Sequence, residues 1–168
     1  MTPKILILSA PLWQSTLQAL ARYGPRRVEA ACLWYGDRKD DAARALAVGI
    51  PRQVNRARNF EIPADALAEL NQLMSDGLVV VAQVHSHPGS CTTHSPWDNA
   101  MMVSRKIFSL VIPHYAARPC DPAAAGIHVH DGARWIKLAP TVTQEHLRVE
   151  TAETEFEGSA RPLVVDAR

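Results

Sequence analysis

The chain has 168 residues, 47% hydrophobic and 21% charged, the balance of a globular protein and not of a disordered or fibrous one. At this length roughly 70% of the surface exposed in the unfolded chain can be buried, so neither a disulfide nor a structural metal is needed to hold a core, and a metal found here would serve chemistry. Eighteen Lys and Arg against seventeen Asp and Glu leave a formal net charge of +1, which supplies no long-range field for nucleic acid or an anionic membrane.

Residues 4–8 read as a short buried strand, and Trp13, Leu17, Leu20 and Ala21 then recur at helical spacing until Gly24-Pro25 stops them. Residues 27–35 form a second, nearly all-apolar and therefore central strand, with Glu29 as the carboxylate near its start and Gly36 as its end. Residues 37–60 are charged and carry no sustained period, the pattern of an irregular surface excursion, in which Arg52, Arg56 and Arg58 read as solvated. Pro63 opens a helix bearing Leu67, Leu70, Leu73 and Met74, closed by Gly77. The β-branched run 78–84 suits a strand covered on both faces and delivers the chain to His85. Ser95-Pro96-Trp97-Asp98 has the form of a helix start, with the helix continuing to about Lys106 and a strand over 107–112. Asp131-Gly132 marks a hairpin between 127–129 and 134–138. Residues 141–168 are polar and rich in Glu, with a late apolar run at 163–165 that reads as an edge strand or a tail. These elements predict one α/β domain over 1–168, a mixed central sheet flanked by helices. Cys32, Cys91 and Cys120 are too few and scattered for a disulfide framework. No stretch approaches the roughly 18 apolar residues of a membrane span, and the N-terminal apolar run lacks the features of a secretory leader. The expectation is a cytoplasmic protein without nucleic-acid or membrane partners.

The chemistry gathers at the end of the strand 78–84. His85 and His87 are two residues apart, so both imidazoles leave the same face of an extended chain. Eleven residues after His87, Asp98 falls in the first turn of the next helix, where the helix dipole favours a carboxylate. Two histidines and one carboxylate leave a fourth tetrahedral position open for water, the difference between a catalytic zinc site and a closed structural one. Such a site still requires a general base and a donor for the oxyanion.

The residues His85-Ser86-His87-Pro88, then GSCTTH, then Ser95, Pro96-Trp97 and Asp98, with Glu29 on an earlier strand, resemble the signature of the JAMM zinc metallopeptidases, also called MPN-plus or JAB. The likeness extends over roughly the first 140 residues and implies the cytidine-deaminase-like JAB/MPN fold. It further implies that His85, His87 and Asp98 hold zinc, that Glu29 is the base and proton shuttle, and that Ser95 steadies the oxyanion. The family hydrolyses isopeptide or peptide bonds after the C-terminal glycine of ubiquitin-like proteins, so the implied partner is a ubiquitin-like protein or its conjugates, with a modifier-activating and conjugating system behind it. A sulfur-carrier-protein peptidase would use the same residues, whereas a non-catalytic scaffold of the family would have lost some of them. The DNA-repair-associated branch is disfavoured by the neutral charge.

Other candidates have blander readings. His128 and His130 form a second His-x-His pair beside the hairpin turn, without a later carboxylate opening a helix, and read as a solvated strand pair. Cys91 lies between ligands of an already complete set and reads as an incidental small side chain. Cys32 and Cys120 read as packing residues. His94 and His114 have no partner that the sequence identifies.

Overall fold

The computed structural model describes residues 3–74, 77–150 and 163–167. β1 (Ile5–Ser9) passes directly into α1 (Ala10–Ala21), because Ser9 Oγ accepts the Leu12 N–H at 3.3 Å and Pro11 occupies the first turn. α1 buries Leu12, Trp13, Thr16, Leu17, Ala19 and Leu20. Trp13 meets Trp34 edge-on at 6.2 Å, and Trp34 Nε1 donates to Thr16 Oγ1 at 2.8 Å. This face of the sheet, with Leu6, Leu8, Val84 and Leu110, forms the larger core, and each such side chain contributes about 1.5–3 kcal/mol on full burial.

β2 (Ala31–Lys39) begins four residues later than predicted and runs past Gly36. Glycine is required there for a different reason. At the bulge between Tyr35 and Gly36 a Cβ on Gly36 would stand 1.7 Å from the Arg44 carbonyl oxygen, an approach only glycine permits. The charged stretch read as irregular is instead strand: β3 (Ala42–Ile50) pairs antiparallel with β2, Trp34 opposite Val48 and Lys39 opposite Ala42. Its buried positions include Ala43 and Ala45 toward the larger core and, past the bulge, Ala47 toward the opposite face, which gave the alternation too little hydrophobic contrast to register. β4 (Val54–Arg56) and β5 (Asn59–Glu61) make a small second hairpin. Arg52 pairs with Asp65 and Arg56 with Glu61 on the surface.

α2 (Ala64–Leu73) covers the other face, packing Leu70 with Leu33, Tyr35, Ala47 and Met74. β6 (Val79–Ser86) lies between antiparallel β2 and parallel β7 (Phe108–Ile112) and is buried from Val81 to Ser86. Between them, α3 (Pro96–Ala100) stops well before Lys106. β8 (Gly126–His130) and β9 (Trp135–Lys137) form the expected hairpin, with Asp131 Oδ1 accepting the Ala133 and Arg134 N–H groups. The C-terminal stretch folds back on the sheet. α4 (Pro140–His146) leads into β10 (Leu147–Glu150), parallel to β1, and β11 (Leu163–Asp166) runs parallel to β3. Arg44 and Glu150 form an ion pair across the β3–β10 end of the sheet. Residues 151–162 of the expected tail lie outside the described residues. The result is a mixed α/β sheet in the order β10-β1-β3-β2-β6-β7-β8-β9, with β11 beside β3 and helices on its faces. Among the described residues no helix is long and apolar enough to cross a membrane.

Candidate metal centre

His85 is the next-to-last residue of β6 and His87 follows one residue beyond it, so strand geometry aims both rings to one side. Their Nε2 atoms stand 3.1 Å apart. Asp98, from the first turn of α3, brings Oδ2 to 3.2 Å from His87 Nε2 and Oδ1 to 3.5 Å from His85 Nε2. Among the described residues these three form the one His/Cys/Asp/Glu group whose ligand atoms all lie within 4.8 Å of one another. His85, His87 and Asp98 are 0%, 8% and 1% exposed.

The arrangement fits a cation. His87 Nδ1 donates to the Cys91 carbonyl at 2.9 Å, so its Nε2 presents a lone pair. Asp98 Oδ1 is buried without a hydrogen-bond donor, a state that costs about 1–3 kcal/mol unless something else satisfies it. Two buried ring nitrogens and a carboxylate converging on one point are a donor set that a metal cation would satisfy. Without metal, burial lowers the His85 pKa against the pull of Asp98. Burial also works to lower that of His87, but the hydrogen bond to Asp98, its charge and that of Glu29 outweigh it and the net shift is upward. Burial pushes Asp98 up, yet the His85 and His87 rings beside it hold it far below the usual carboxylate range.

Glu29 precedes β2 rather than lying in it, but the strand register extends to it. Ala31 pairs with His85, and the Ser86 N–H donates to the Ala30 carbonyl at 3.0 Å. Two positions back from Ala31, Glu29 therefore stands across from His87, on the same face. The β4–β5 hairpin fixes its backbone: Glu29 N–H donates to Arg56 at 2.8 Å, and Asn55 Nδ2 donates to the Glu29 carbonyl at 2.8 Å. The side chain is 3% exposed and its Oε2 has no hydrogen-bond partner. Burial, opposed by His87 and reinforced by Asp98, pushes its pKa up to about 7.

α3 is set by a capping box. Ser95 Oγ accepts the Asp98 N–H at 3.2 Å, while the Ser95 N–H donates to Asp98 Oδ2 at 2.5 Å. The same acid is thus cap and candidate ligand. The helix ends early because Gln83, on the His85 face of β6, takes over its exit, donating to the Met101 carbonyl at 3.2 Å and accepting the Val103 N–H at 3.0 Å.

The sequence reading missed part of the surroundings. His128 is not solvated: it is 2% exposed and stacks on His94 with ring centroids 3.8 Å apart at 14°. His130 alone of that pair is half-buried, edge-on to Trp135. His94 has partners on both ring nitrogens, Asn99 Oδ1 and Ser109 Oγ, each at 2.8 Å. Burial lowers the pKa of His94 to about 4 and of His128 to about 3. These contacts run through the β7–β8 register, which no local spacing encodes. The Cys91 thiol is exposed, and its carbonyl, not its sulfur, reaches His87. Cys32 is buried in the core and Cys120 packs against it. The His114 N–H donates to the Gly89 carbonyl at 3.0 Å. Phe60 lies 5.2 Å from the His85 ring and accepts the Trp97 indole N–H through its carbonyl at 2.8 Å.

No protein-family model matches the chain. The probable metalloprotease y4jG of Sinorhizobium fredii is 35% identical to it over 138 residues, 76% of this chain and 84% of that protein. The chain belongs to the family of that metalloprotease. Protein DSY2949 from Desulfitobacterium hafniense shares the fold, with a TM-score of 0.68 and 17% identity over 91% of this chain and 96% of its own. AF2198 of Archaeoglobus fulgidus, a JAB1/MPN domain protein, overlaps with a TM-score of 0.46 and 15% identity over 84% of this chain and 96% of its own.

Proposed function

We propose that the chain is a zinc-dependent peptidase of the JAMM type, cleaving the peptide or isopeptide bond after the C-terminal glycine of a ubiquitin-like protein. The observation that carries this reading is the buried convergence of His85, His87 and Asp98 with Glu29, whose Oε2 has no hydrogen-bond partner, on the same face. Kinship with a probable metalloprotease supports the peptidase class, and the ubiquitin-like substrate follows from the resemblance of the motif. Zinc held by the three ligands would supply a Lewis acid that polarises the scissile carbonyl and acidifies water.

The chain's own residues divide the remaining work. With a pKa near 7, Glu29 can take a proton from the attacking water at neutral pH and return it to the departing amine. Ser95 Oγ uses a lone pair to cap α3, which leaves its hydroxyl proton for an oxygen that gains negative charge in the transition state. The Cys91 carbonyl keeps the His87 ring in one tautomer. Burial of His85 and Asp98 keeps competing water from the ligand set, so charges in the site act through a low dielectric.

The test is to incubate zinc-loaded protein with a panel of ubiquitin-like and sulfur-carrier fusions and weigh the products by mass spectrometry. A cut after the terminal glycine, abolished by chelation, is expected. Cleavage elsewhere in the chain, or equal cleavage in chelator, would overturn the reading.

A further inference from the structure

α3 is five residues long, far below the roughly 12–15 at which an isolated helix becomes even marginally stable. Yet it must hold Asp98 to within about 0.5 Å of productive geometry. What fixes it therefore comes from outside. Gln83 holds its exit and the Trp97 indole anchors its middle. Its beginning is held by His94, the residue before the Ser95 cap, a position where an apolar staple is usual.

His94 makes an unusual number of directed contacts for that position. Its Nδ1 donates to Asn99 Oδ1 within α3 at 2.8 Å, and its Nε2 accepts from Ser109 Oγ on β7 at 2.8 Å. Its main-chain N–H donates to His128 Nε2 on β8 at 3.3 Å. The ring face lies on His128, its edge meets Trp135 of β9 at 5.6 Å between centroids, and His85 stands 5.7 Å away. One residue thus ties the helix that carries Asp98 to three consecutive strands, and it abuts a second ligand. Ser109, buried on β7, pairs with His128 across the β7–β8 register, so the anchors themselves are part of the core.

We infer that His94 is a positioning residue of the metal centre, acting through the Ser95–Asp98 capping box to place the carboxylate ligand and through its ring contact to hold His85. It touches no reacting atom. The inference rests on the metal-centre reading above and gives the His94–His128 stack a role separate from ligation.

The test measures zinc affinity by competition with a chromophoric chelator, together with the visible absorption of the cobalt-loaded protein, which reports ligand geometry directly. His94→Phe keeps the stack on His128 and loses both ring hydrogen bonds. It should weaken zinc binding about 10- to 100-fold, the usual cost of losing an outer partner of a ligand, and shift the cobalt spectrum. Ser109→Ala should shift the spectrum in the same direction. Combining the two should cost no more than His94→Phe alone, since both break one chain of contacts. Lys39→Ala, at an exposed position at the end of β2, should bind zinc and cobalt as the parent does. Parental affinity and an unchanged cobalt spectrum in His94→Phe, with Asp98→Ala devoid of metal, would overturn the inference and leave the metal centre standing. A parent chain that takes up no metal would overturn both. Should His94→Phe fail to fold, Ser109→Ala decides by the same two readings, parental values again overturning the inference.

Discussion

Glu29 stands opposite His87 across the edge where β2 meets β6, two register positions beyond the Ala31–His85 pair. The carboxyl is buried and its Oε2 has no hydrogen-bond partner, so the charged form is disfavoured until a positive charge faces it. That places a buried carboxyl beside the candidate ligand set, where the proposed mechanism uses it as the proton acceptor. Glu29→Gln should accordingly bind zinc and substrate as the parent does, while turnover falls by the roughly 10²- to 10⁴-fold typical of a lost general base. Turnover at the parental rate would make Glu29 a structural residue only.

The same carboxyl predicts a pH-dependent stability in the metal-free chain. Its pKa is about 7 folded against 4.5 in the reference state, so between those values the folded chain binds the extra proton and stability falls as pH rises. The penalty is complete above pH 7 and absent well below 4.5. Glu29→Gln escapes it. In denaturant titrations of metal-free protein, the variant should gain on the parent by up to about 3 kcal/mol from pH 4 to pH 8, at about 1.36 kcal/mol per pKa unit. Zinc, a nearby positive charge, should shrink that gain. A difference independent of pH would contradict the burial argument.

Chelation should abolish activity without unfolding the protein. The core under α1 and the smaller one under α2 are assembled from apolar side chains and include none of the candidate ligands, so metal adds stability only by mass action. Far-ultraviolet circular dichroism after chelator treatment should retain the native signal. Its collapse to that of an unfolded chain would mean that the metal is structural.

Ser95 caps α3 and in the proposed mechanism also serves the oxyanion, and Ser95→Ala should separate the two. Loss of the cap should cost about 1 kcal/mol of stability. Loss of the hydroxyl proton near the oxyanion should lower kcat on the order of 10²- to 10³-fold with zinc retained. Thermal unfolding and steady-state kinetics on the same preparation distinguish the two. A small fall in kcat matching the stability loss alone would reduce Ser95 to a helix cap.

Gly36 offers a check on the fold. A methyl group there would meet the Arg44 carbonyl oxygen at 1.7 Å, and backbone on both strands would have to move. Gly36→Ala should destabilise by at least the 1–3 kcal/mol typical of overpacking, read as a lower denaturation midpoint. An unchanged midpoint would contradict the bulge.

How much of this was legible depended on the range of the signal. The convergence of His85, His87 and Asp98 was legible because His85 and His87 sit at period two on a strand whose β-branched run is unmistakable, and Ser95 and Asp98 share a local helix-start pattern. β3 was not, since Ala43, Ala45 and Ala47, divided between its two faces by the bulge, gave it too little hydrophobic contrast beside charged neighbours. The early stop of α3 was hidden for a related reason: Gln83, on a distant strand, captures the backbone groups a longer helix would have used. His94 and His128 were illegible as a pair, because 34 residues and a β7–β8 register separate two rings that end 3.8 Å apart.

The most direct test of the metal-centre account is the zinc content per chain of the parent, His87→Ala and Glu29→Gln, measured by elemental analysis after dialysis. Three protein ligands with an open fourth position predict about one zinc in the parent and in Glu29→Gln, and almost none in His87→Ala. Zinc retained at the parental level by His87→Ala, or absent from the parent, would contradict it.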